Sequence, residues 1–142
     1  MRLAGAAWAV PALEPELLPR APRRHEEDDL QRDVFRFLDL ALPPEDGVAY
    51  AIPNGGKRSK KEAARMKGLG VRAGMPDIGI CYRGRALYVE LKAPRGVMSA
   101  AQKDMARRLT YCGAPVLLVR SVPELEALLR EACVRLRGSV AA

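Results

Sequence analysis

Apolar side chains in the first half of the chain recur at the spacing of one helix face. Leu30, Val34 and Leu38 follow this period, and the segment 26–29 before them carries only acidic residues, which suit the positive end of a helix dipole. Two consecutive prolines follow shortly afterwards, and proline cannot continue a helix. The pattern therefore predicts an amphipathic helix that is ended by Pro43 and Pro44.

The next predicted elements are a strand over 48–52 and a helix over 59–69. The strand segment is rich in β-branched and aromatic residues and runs into the turn Pro53-Asn54-Gly55-Gly56. The helix is stopped by Gly68 and Gly70, because glycine weakens a helix and favours its C-terminal end.

A β-hairpin is predicted from two short runs, 77–82 and 86–91, joined by the loop Arg83-Gly84-Arg85. After the hairpin, the pattern predicts a helix over 99–112, an apolar strand over 115–119 and a final amphipathic helix over 123–136. Helices and strands thus alternate along the chain. This order predicts an α/β fold in which a mixed central sheet is flanked by helices.

The composition is that of one globular domain with a basic surplus. The 142 residues carry 24 Lys and Arg against 17 Asp and Glu, a net charge of +7, and 49% of them are apolar. Residues 1–24 hold four of the eleven prolines and show no sustained period, so we predict a flexible Pro-rich extension there and the folded domain over 25–142. No apolar run approaches the roughly 18 residues that a membrane span requires. The three cysteines lack a CxxC pair and favour free thiols in a reducing cytoplasm.

The positive charge is concentrated in the segment 57–72. This segment holds seven basic side chains, with Glu62 as its only acidic one, and so carries six of the seven net charges. Taken alone, such a segment is as typical of a solvated helix face as of a surface that binds phosphates. Its basic residues are Lys57, Arg58, Lys60, Lys61, Arg65, Lys67 and Arg72.

A pair of carboxylates is expected at one end of the predicted hairpin. Because side chains alternate along a strand, Glu90 and Lys92 point to the same face. A three-residue loop places Asp77 opposite Leu91 and beside Glu90. Two carboxylates this close repel each other unless a cation lies between them, and oxygen ligands of this kind suit Mg²⁺. Each of these residues alone is ordinary in a solvated strand or turn, and it is their coincidence that predicts a site.

The spacing of these residues resembles a nuclease motif. Pro76-Asp77, a gap of twelve residues, and Glu90-Leu91-Lys92 are similar to the PD-(D/E)XK pattern. Further segments over residues 26–122 narrow the resemblance to the VRR-NUC family of virus-type replication and repair nucleases. These segments are Glu27 with Gln31, the turn 53–56 with its basic helix, Gly70 to Asp77, and Ser99 with Gln102. The resemblance implies a PD-(D/E)XK restriction-endonuclease-like core over 25–142.

The resemblance also implies roles for single residues. Asp77 and Glu90 would bind Mg²⁺ or Mn²⁺ together with the backbone carbonyl of Leu91, and Lys92 would orient the attacking water or stabilise charge on the phosphate. A further carboxylate is implied on the first helix. Glu27 lies closer than Glu26 to the centre of that helix's apolar face, so it is the preferred metal ligand and Glu26 the alternative.

Gln102 has two interpretations. Ser99-x-x-Gln102 is the sequence of a capping box, in which serine and glutamine satisfy the first backbone amides of a helix. The resemblance instead implies a catalytic role toward the phosphate or the metal. Both interpretations hold together if the cap fixes the direction in which the amide of Gln102 points.

In function, the resemblance implies a metal-dependent endodeoxyribonuclease that hydrolyses phosphodiester bonds. Its expected substrate is branched DNA such as Holliday junctions, and its expected state is a homodimer in a bacterial or phage-type cytoplasm, with no membrane contact. The seven basic residues of 57–72 would then hold the DNA backbone. A flap or restriction-type nuclease and a non-catalytic basic DNA-binding module are the alternatives.

Overall fold

The computed structural model describes residues 23–54 and 58–139, with side chains from residue 25 onward. The elements within these residues follow the predicted order: α1 (Arg23–Ala41), β1 (Gly47–Ala51), α2 (Lys60–Gly68), β2 (Ile78–Tyr82), β3 (Arg85–Leu91), α3 (Ala100–Tyr111), β4 (Val116–Val119) and α4 (Val122–Glu131). Residues 1–22 of the predicted extension lie outside the described part. None of the helices in the described ranges is long and apolar enough to cross a membrane.

The strands form one sheet in the order β1-β2-β3-β4. The β1–β2 and β2–β3 pairs are antiparallel, and β3–β4 is parallel. A parallel pair needs a crossover connection, which the chain makes through α3. The predicted α/β fold with a mixed sheet is thus confirmed.

One face of the sheet forms the hydrophobic core with α1 and α4. Side chains alternate along β2 and β3, so every second residue reaches this face. The buried cluster includes Val34 and Leu38 from α1, Ile78, Ile80, Leu87, Val89 and Leu91 from the hairpin, and Leu125 and Leu129 from α4. Each such side chain contributes about 1.5–3 kcal/mol when it is removed from water.

The opposite face of the sheet carries α3. Glu90 lies between the core residues Val89 and Leu91 on β3, so its side chain leaves the core and points to the other face. There it meets Gln102 of α3. Glu90 and Gln102 therefore lie on the face that α1 and α4 leave open.

The β2–β3 hairpin is tighter than its sequence predicts. Tyr82 pairs with Arg85, which leaves a loop of only Arg83 and Gly84. Both loop residues have positive φ, 43° and 76°, which is the signature of a type I′ turn. Glycine favours this conformation, whereas Arg83 adopts it under the twist of the flanking strands. The predicted three-residue loop is wrong by one residue.

The last helix is shorter than predicted. It ends at Glu131 instead of 136, and Cys133 has a positive φ of 60°, which no helix interior accommodates. Val134 and Leu136 still bury their side chains, but from an irregular segment that folds back onto the core. Apolar residues at these positions extended the predicted helix because the pattern reports burial and not backbone conformation.

Candidate functional site

Asp77 and Glu90 lie across from each other on neighbouring strands. The antiparallel register pairs Ile78 with Val89, and its continuation by one residue places Asp77 opposite Glu90 on the same face. The three-residue loop would have set Asp77 against Leu91 instead, with the two carboxylates on opposite faces. The two carboxylates therefore lie side by side, as predicted, but only because the turn is one residue shorter than predicted.

The carboxylate of Glu90 is buried, with 1% of its side chain exposed. Burial raises the pKa of Glu90 to about 7, and the negative charges of Asp77 and Glu27 act in the same direction. The hydrogen bond and positive charge of Lys92 oppose that rise. A buried carboxyl with two acidic neighbours is a position where a cation is favourable.

Asp77 is held by the backbone of the facing strand. Its Oδ2 accepts a hydrogen bond from the amide of Leu91 at 2.8 Å. Burial raises the pKa of Asp77, while the Leu91 amide and the charge of Lys92 lower it. Within a strand the N–H and C=O of one residue point to the same side, so the Leu91 carbonyl also faces Asp77.

Lys92 points to the same face as Glu90, as alternation predicts. Its Nζ lies 2.8 Å from Oε1 of Glu90, and its side chain is 10% exposed. Burial lowers the pKa of Lys92, but the contact with Glu90 and the charges of Glu27 and Asp77 outweigh this and leave the pKa raised. The amine is therefore a cation, and all three carboxylates act on it.

Gln102 forms the predicted capping box and also contacts Glu90, while its catalytic role stays a prediction. Its Oε1 accepts a hydrogen bond from the backbone amide of Ser99 at 2.8 Å. The backbone amide of Gln102 donates to the Ser99 hydroxyl at 3.2 Å, which completes a capping box. Because the oxygen is occupied by Ser99, the side-chain nitrogen faces the sheet, where it donates to Oε1 of Glu90. The helix cap thus fixes the direction of the amide toward the site.

Glu27 approaches the site from α1, whereas Glu26 is exposed. The Oε1 of Glu27 accepts from the amide of Ala93 at 3.4 Å, one residue beyond Lys92. Its charge also raises the pKa of both Asp77 and Glu90. Of the two acids considered on this helix, Glu27 is the one that lies beside the carboxylate pair.

Two residues that the sequence did not single out as site residues hold the segment before Asp77. Asn54 donates its side-chain amide to the carbonyls of Met75 and Pro76, the latter at 3.0 Å. Gly74 has a φ of +76°, and a Cβ there would collide with the backbone carbonyl of Ala101 in α3. The signals were present in the sequence, since Asn54 opens the Asn-Gly-Gly turn and Gly74 opens Gly-Met-Pro-Asp.

Arg120 is a further residue that sequence reasoning missed. It follows β4 and its Nη1 donates to the carbonyls of Ala93 and Gly96, at 2.7 and 2.8 Å. These contacts anchor the turn that directly follows Lys92. An arginine after an apolar strand carries no signal of this role, because the partners are backbone atoms far away in sequence.

The basic residues lie on and around α2. Ser59 caps this helix by accepting from the amide of Glu62 at 3.1 Å. No residue of α2 is buried, and α2 packs on no other helix or strand of the described residues. Arg58 is half-buried, Lys60, Lys61, Arg65, Lys67 and Arg72 are exposed, and Lys57 lies outside the described residues.

The donor atoms at the site suit a hard divalent cation. Asp77 Oδ1 and Glu90 Oε2 accept no hydrogen bond from the residues described, and with the Leu91 carbonyl they supply oxygen donors only. Over the described ranges, no three His, Cys, Asp or Glu side chains are grouped so that they could hold a metal. The donor set is therefore two carboxylates and a carbonyl, and Glu27 as a ligand stays a prediction. Mg²⁺ tolerates so few protein ligands because it keeps several waters.

A solved structure with the same fold was found. The chain matches a solved "VRR_NUC domain protein" with a TM-score of 0.59 at 21% sequence identity, over 75% of this chain and 86% of that one. It also matches a solved "VRR_NUC domain" with a TM-score of 0.49 at 22% identity, over 74% of this chain and 95% of that one. No family model matches the sequence. The search of curated proteins also returned no match.

Proposed function

We propose that this chain, which has the fold of a VRR_NUC domain protein, is a nuclease that hydrolyses phosphodiester bonds of DNA with a divalent metal ion. One observation carries the proposal: Asp77 and Glu90 face each other across two strands, with the amine of Lys92 on the same face. Two carboxylates beside a cationic amine match the needs of a site that handles a phosphate.

Mg²⁺ or Mn²⁺ is the proposed cofactor, with Asp77, Glu90 and the carbonyl of Leu91 as its protein ligands. A bound ion of this kind lowers the pKa of a coordinated water and offsets negative charge on the phosphate. Lys92 keeps its proton near neutral pH, so it adds positive charge where charge develops on the phosphate oxygens. Gln102 and the Leu91 amide each occupy one oxygen of a carboxylate and so orient the other.

The basic helix α2 is the proposed contact for the DNA backbone. It follows β1 in sequence, and Asn54 ties the end of that strand to the segment that leads into Asp77. A phosphate chain bound along α2 would therefore be held close to the carboxylates. Branched DNA such as a Holliday junction, cut by a homodimer, is the finer proposal and rests on the sequence resemblance.

The proposal is tested by incubating the full chain with a labelled four-way junction, a flap and a linear duplex in Mg²⁺, Mn²⁺ or EDTA. We expect cleavage in either metal and none in EDTA. The matched variant is Asp77→Asn, which keeps the shape of the side chain and removes its charge; it should bind DNA and not cut it. Cleavage that persists in EDTA, or in Asp77→Asn, would contradict the proposed site.

A further inference from the structure

An aromatic surface lies on the same sheet face as the proposed catalytic carboxylates. Tyr50 of β1 pairs with Gly79 of β2, and Gly79 pairs with Tyr88 of β3, so the three positions form one row across the sheet. Val48 follows on the same face and is 58% exposed. We call Val48, Tyr50, Gly79 and Tyr88 the tyrosine face.

The ring of Tyr50 lies over Gly79. A Cβ at Gly79 would collide with the ring carbon Cζ and the hydroxyl of Tyr50, so only glycine leaves room for the ring in this position. Tyr50 is nevertheless 43% exposed. One side of the ring therefore covers the backbone of β2, and the remaining surface is open to solvent.

The tyrosine face lies next to the carboxylate pair. Gly79 is two residues after Asp77, and Tyr88 is two residues before Glu90, so the row is displaced from the carboxylates by about 7 Å along the strands. Burial raises the pKa of Tyr50, and Tyr88 and Cys81 act in the same direction. A DNA strand whose phosphate reaches Asp77 and Glu90 would thus bring a neighbouring base over the tyrosines.

The charge of the chain favours a polyanion as the occupant of this face. The net charge is +7, and a nucleic acid is attracted to a basic protein. Bases stack on aromatic side chains without regard to sequence, because every base has a π-face. In paired duplex DNA that face is covered by its neighbours, so only an unpaired base is available.

We propose that Tyr50, supported by Gly79 and Tyr88, is a stacking platform for an unpaired nucleobase beside the scissile phosphate. This rests on the proposed nuclease function and deepens it, since it makes DNA with an unpaired nucleotide at the cut the preferred substrate class. Fully paired duplex then lacks the contact that the platform provides.

Binding in EDTA tests the platform without any cleavage. The probes are a single-stranded oligonucleotide that carries 2-aminopurine and a blunt duplex of the same sequence, and the variants are Tyr50→Leu and its matched control Tyr50→Phe. Loss of one stacked base weakens binding roughly 5- to 150-fold. We expect Tyr50→Leu to lose this affinity for the single strand and to keep its affinity for the duplex, whereas Tyr50→Phe keeps both. The wild type and Tyr50→Phe should quench the fluorescence of 2-aminopurine, and Tyr50→Leu should not.

A second variant keeps the aromatic side chain. Gly79→Ala should displace the Tyr50 ring and reproduce the selective loss of single-strand binding. Equal affinity of Tyr50→Leu and wild type for the single strand, or an equal loss for both probes, would overturn the platform alone. A wild-type dimer that becomes monomeric in Tyr50→Leu, with DNA affinity unchanged, would assign the face to a second copy and also overturn it. Failure of the wild type to bind either probe would overturn the platform and the proposed nuclease together.

Discussion

The side-chain nitrogen of Gln102 donates a hydrogen bond to Oε1 of Glu90. This contact joins the first turn of α3 to the buried carboxylate of β3. The orientation of Gln102 is not free, because its oxygen is held by the amide of Ser99. A local device that begins a helix therefore also points a donor at the proposed metal ligand.

Two variants separate the cap from the contact with Glu90. Gln102→Glu keeps an oxygen acceptor for Ser99, as a capping box requires, but removes the donor to Glu90. We expect repulsion between the new carboxylate and Glu90 to lower the free energy of unfolding, and cleavage to fall about 10- to 100-fold. Ser99→Ala should lower the free energy of unfolding by about 1 kcal/mol and leave most of the cleavage intact. Denaturant unfolding and cleavage assays on both variants check this, and equal effects in both would contradict it.

The burial of Glu90 makes the stability of the metal-free protein depend on pH. In the folded chain its pKa is about 7, above the ordinary glutamate pKa that it has in the unfolded chain. At a pH between these two pKa values, the unfolded chain has lost a proton that the folded chain keeps. Stability is therefore full below the ordinary pKa of glutamate and falls as pH rises through about 7. Between pH 5 and pH 8 we expect a loss of up to about 3 kcal/mol in EDTA.

Glu90→Gln is the control for this pH dependence. The glutamine side chain does not titrate, so the difference between the two pH profiles isolates the carboxyl of Glu90. Thermal unfolding in EDTA from pH 5 to pH 8 measures it. Parallel profiles for the wild type and Glu90→Gln would show that the raised pKa is wrong.

Gly74 and Gly84 offer a matched pair for the close approach of the Asp77 segment to α3. Both have a φ of +76°, but a Cβ at Gly84 meets open space, whereas one at Gly74 meets the backbone of Ala101 and Gln102. Gly84→Ala should cost about 1 kcal/mol of stability, which is the cost of the backbone conformation alone. Gly74→Ala should cost more and should also reduce cleavage. Similar unfolding midpoints for the two variants would rule out the predicted steric contact.

Asn54 should matter for cleavage although it lies outside the carboxylate cluster. Asn54→Asp keeps its shape but replaces the donor with a carboxylate that faces the carbonyls of Met75 and Pro76. The segment before Asp77 then loses its tether, and we expect lower stability by about 1–3 kcal/mol and slower cleavage. A cleavage rate and an unfolding midpoint equal to those of the wild type would exclude this role.

Charge removal on α2 should change how DNA binding depends on salt. Lys60 and Lys61 are exposed, and α2 packs on no other helix or strand of the described residues, so Lys60→Gln with Lys61→Gln leaves the fold intact. The slope of log affinity against log salt should fall by about 1 for each phosphate contact removed. Arg36→Gln, on the exposed side of α1, is the control and should leave the slope unchanged. An unchanged slope in the double variant would remove α2 from the DNA contact.

The sequence predicted the order of elements and the face shared by Glu90 and Lys92, because both follow from local periodicity. Alternation along a strand depends only on neighbouring residues, and the capping box at Ser99 is local as well. The choice of Glu27 over Glu26 also came from the period of one helix. In each case the information lies within a few residues of the feature.

The details that escaped prediction depend on contacts between distant residues or on one backbone angle. The turn at Arg83 and Gly84 is one residue shorter than predicted, because Arg83 adopts a positive φ of 43° that its residue type does not favour. Arg120 bonds carbonyls more than twenty residues away, at Ala93 and Gly96. The end of α4 was also not predicted, because the side chains of Val134 and Leu136 are buried although their backbone is not helical.

The tight turn at Arg83 and Gly84 has a consequence for how this chain can vary. It lies at the far end of the hairpin from Asp77 and Glu90, yet its length decides which sheet face each of them occupies. Inserting a single residue there would move one carboxylate to the opposite side of the sheet without touching either codon. Length changes between Lys92 and Ser99 leave the register of β2 and β3 unchanged, so the turn alone sets which face each carboxylate occupies.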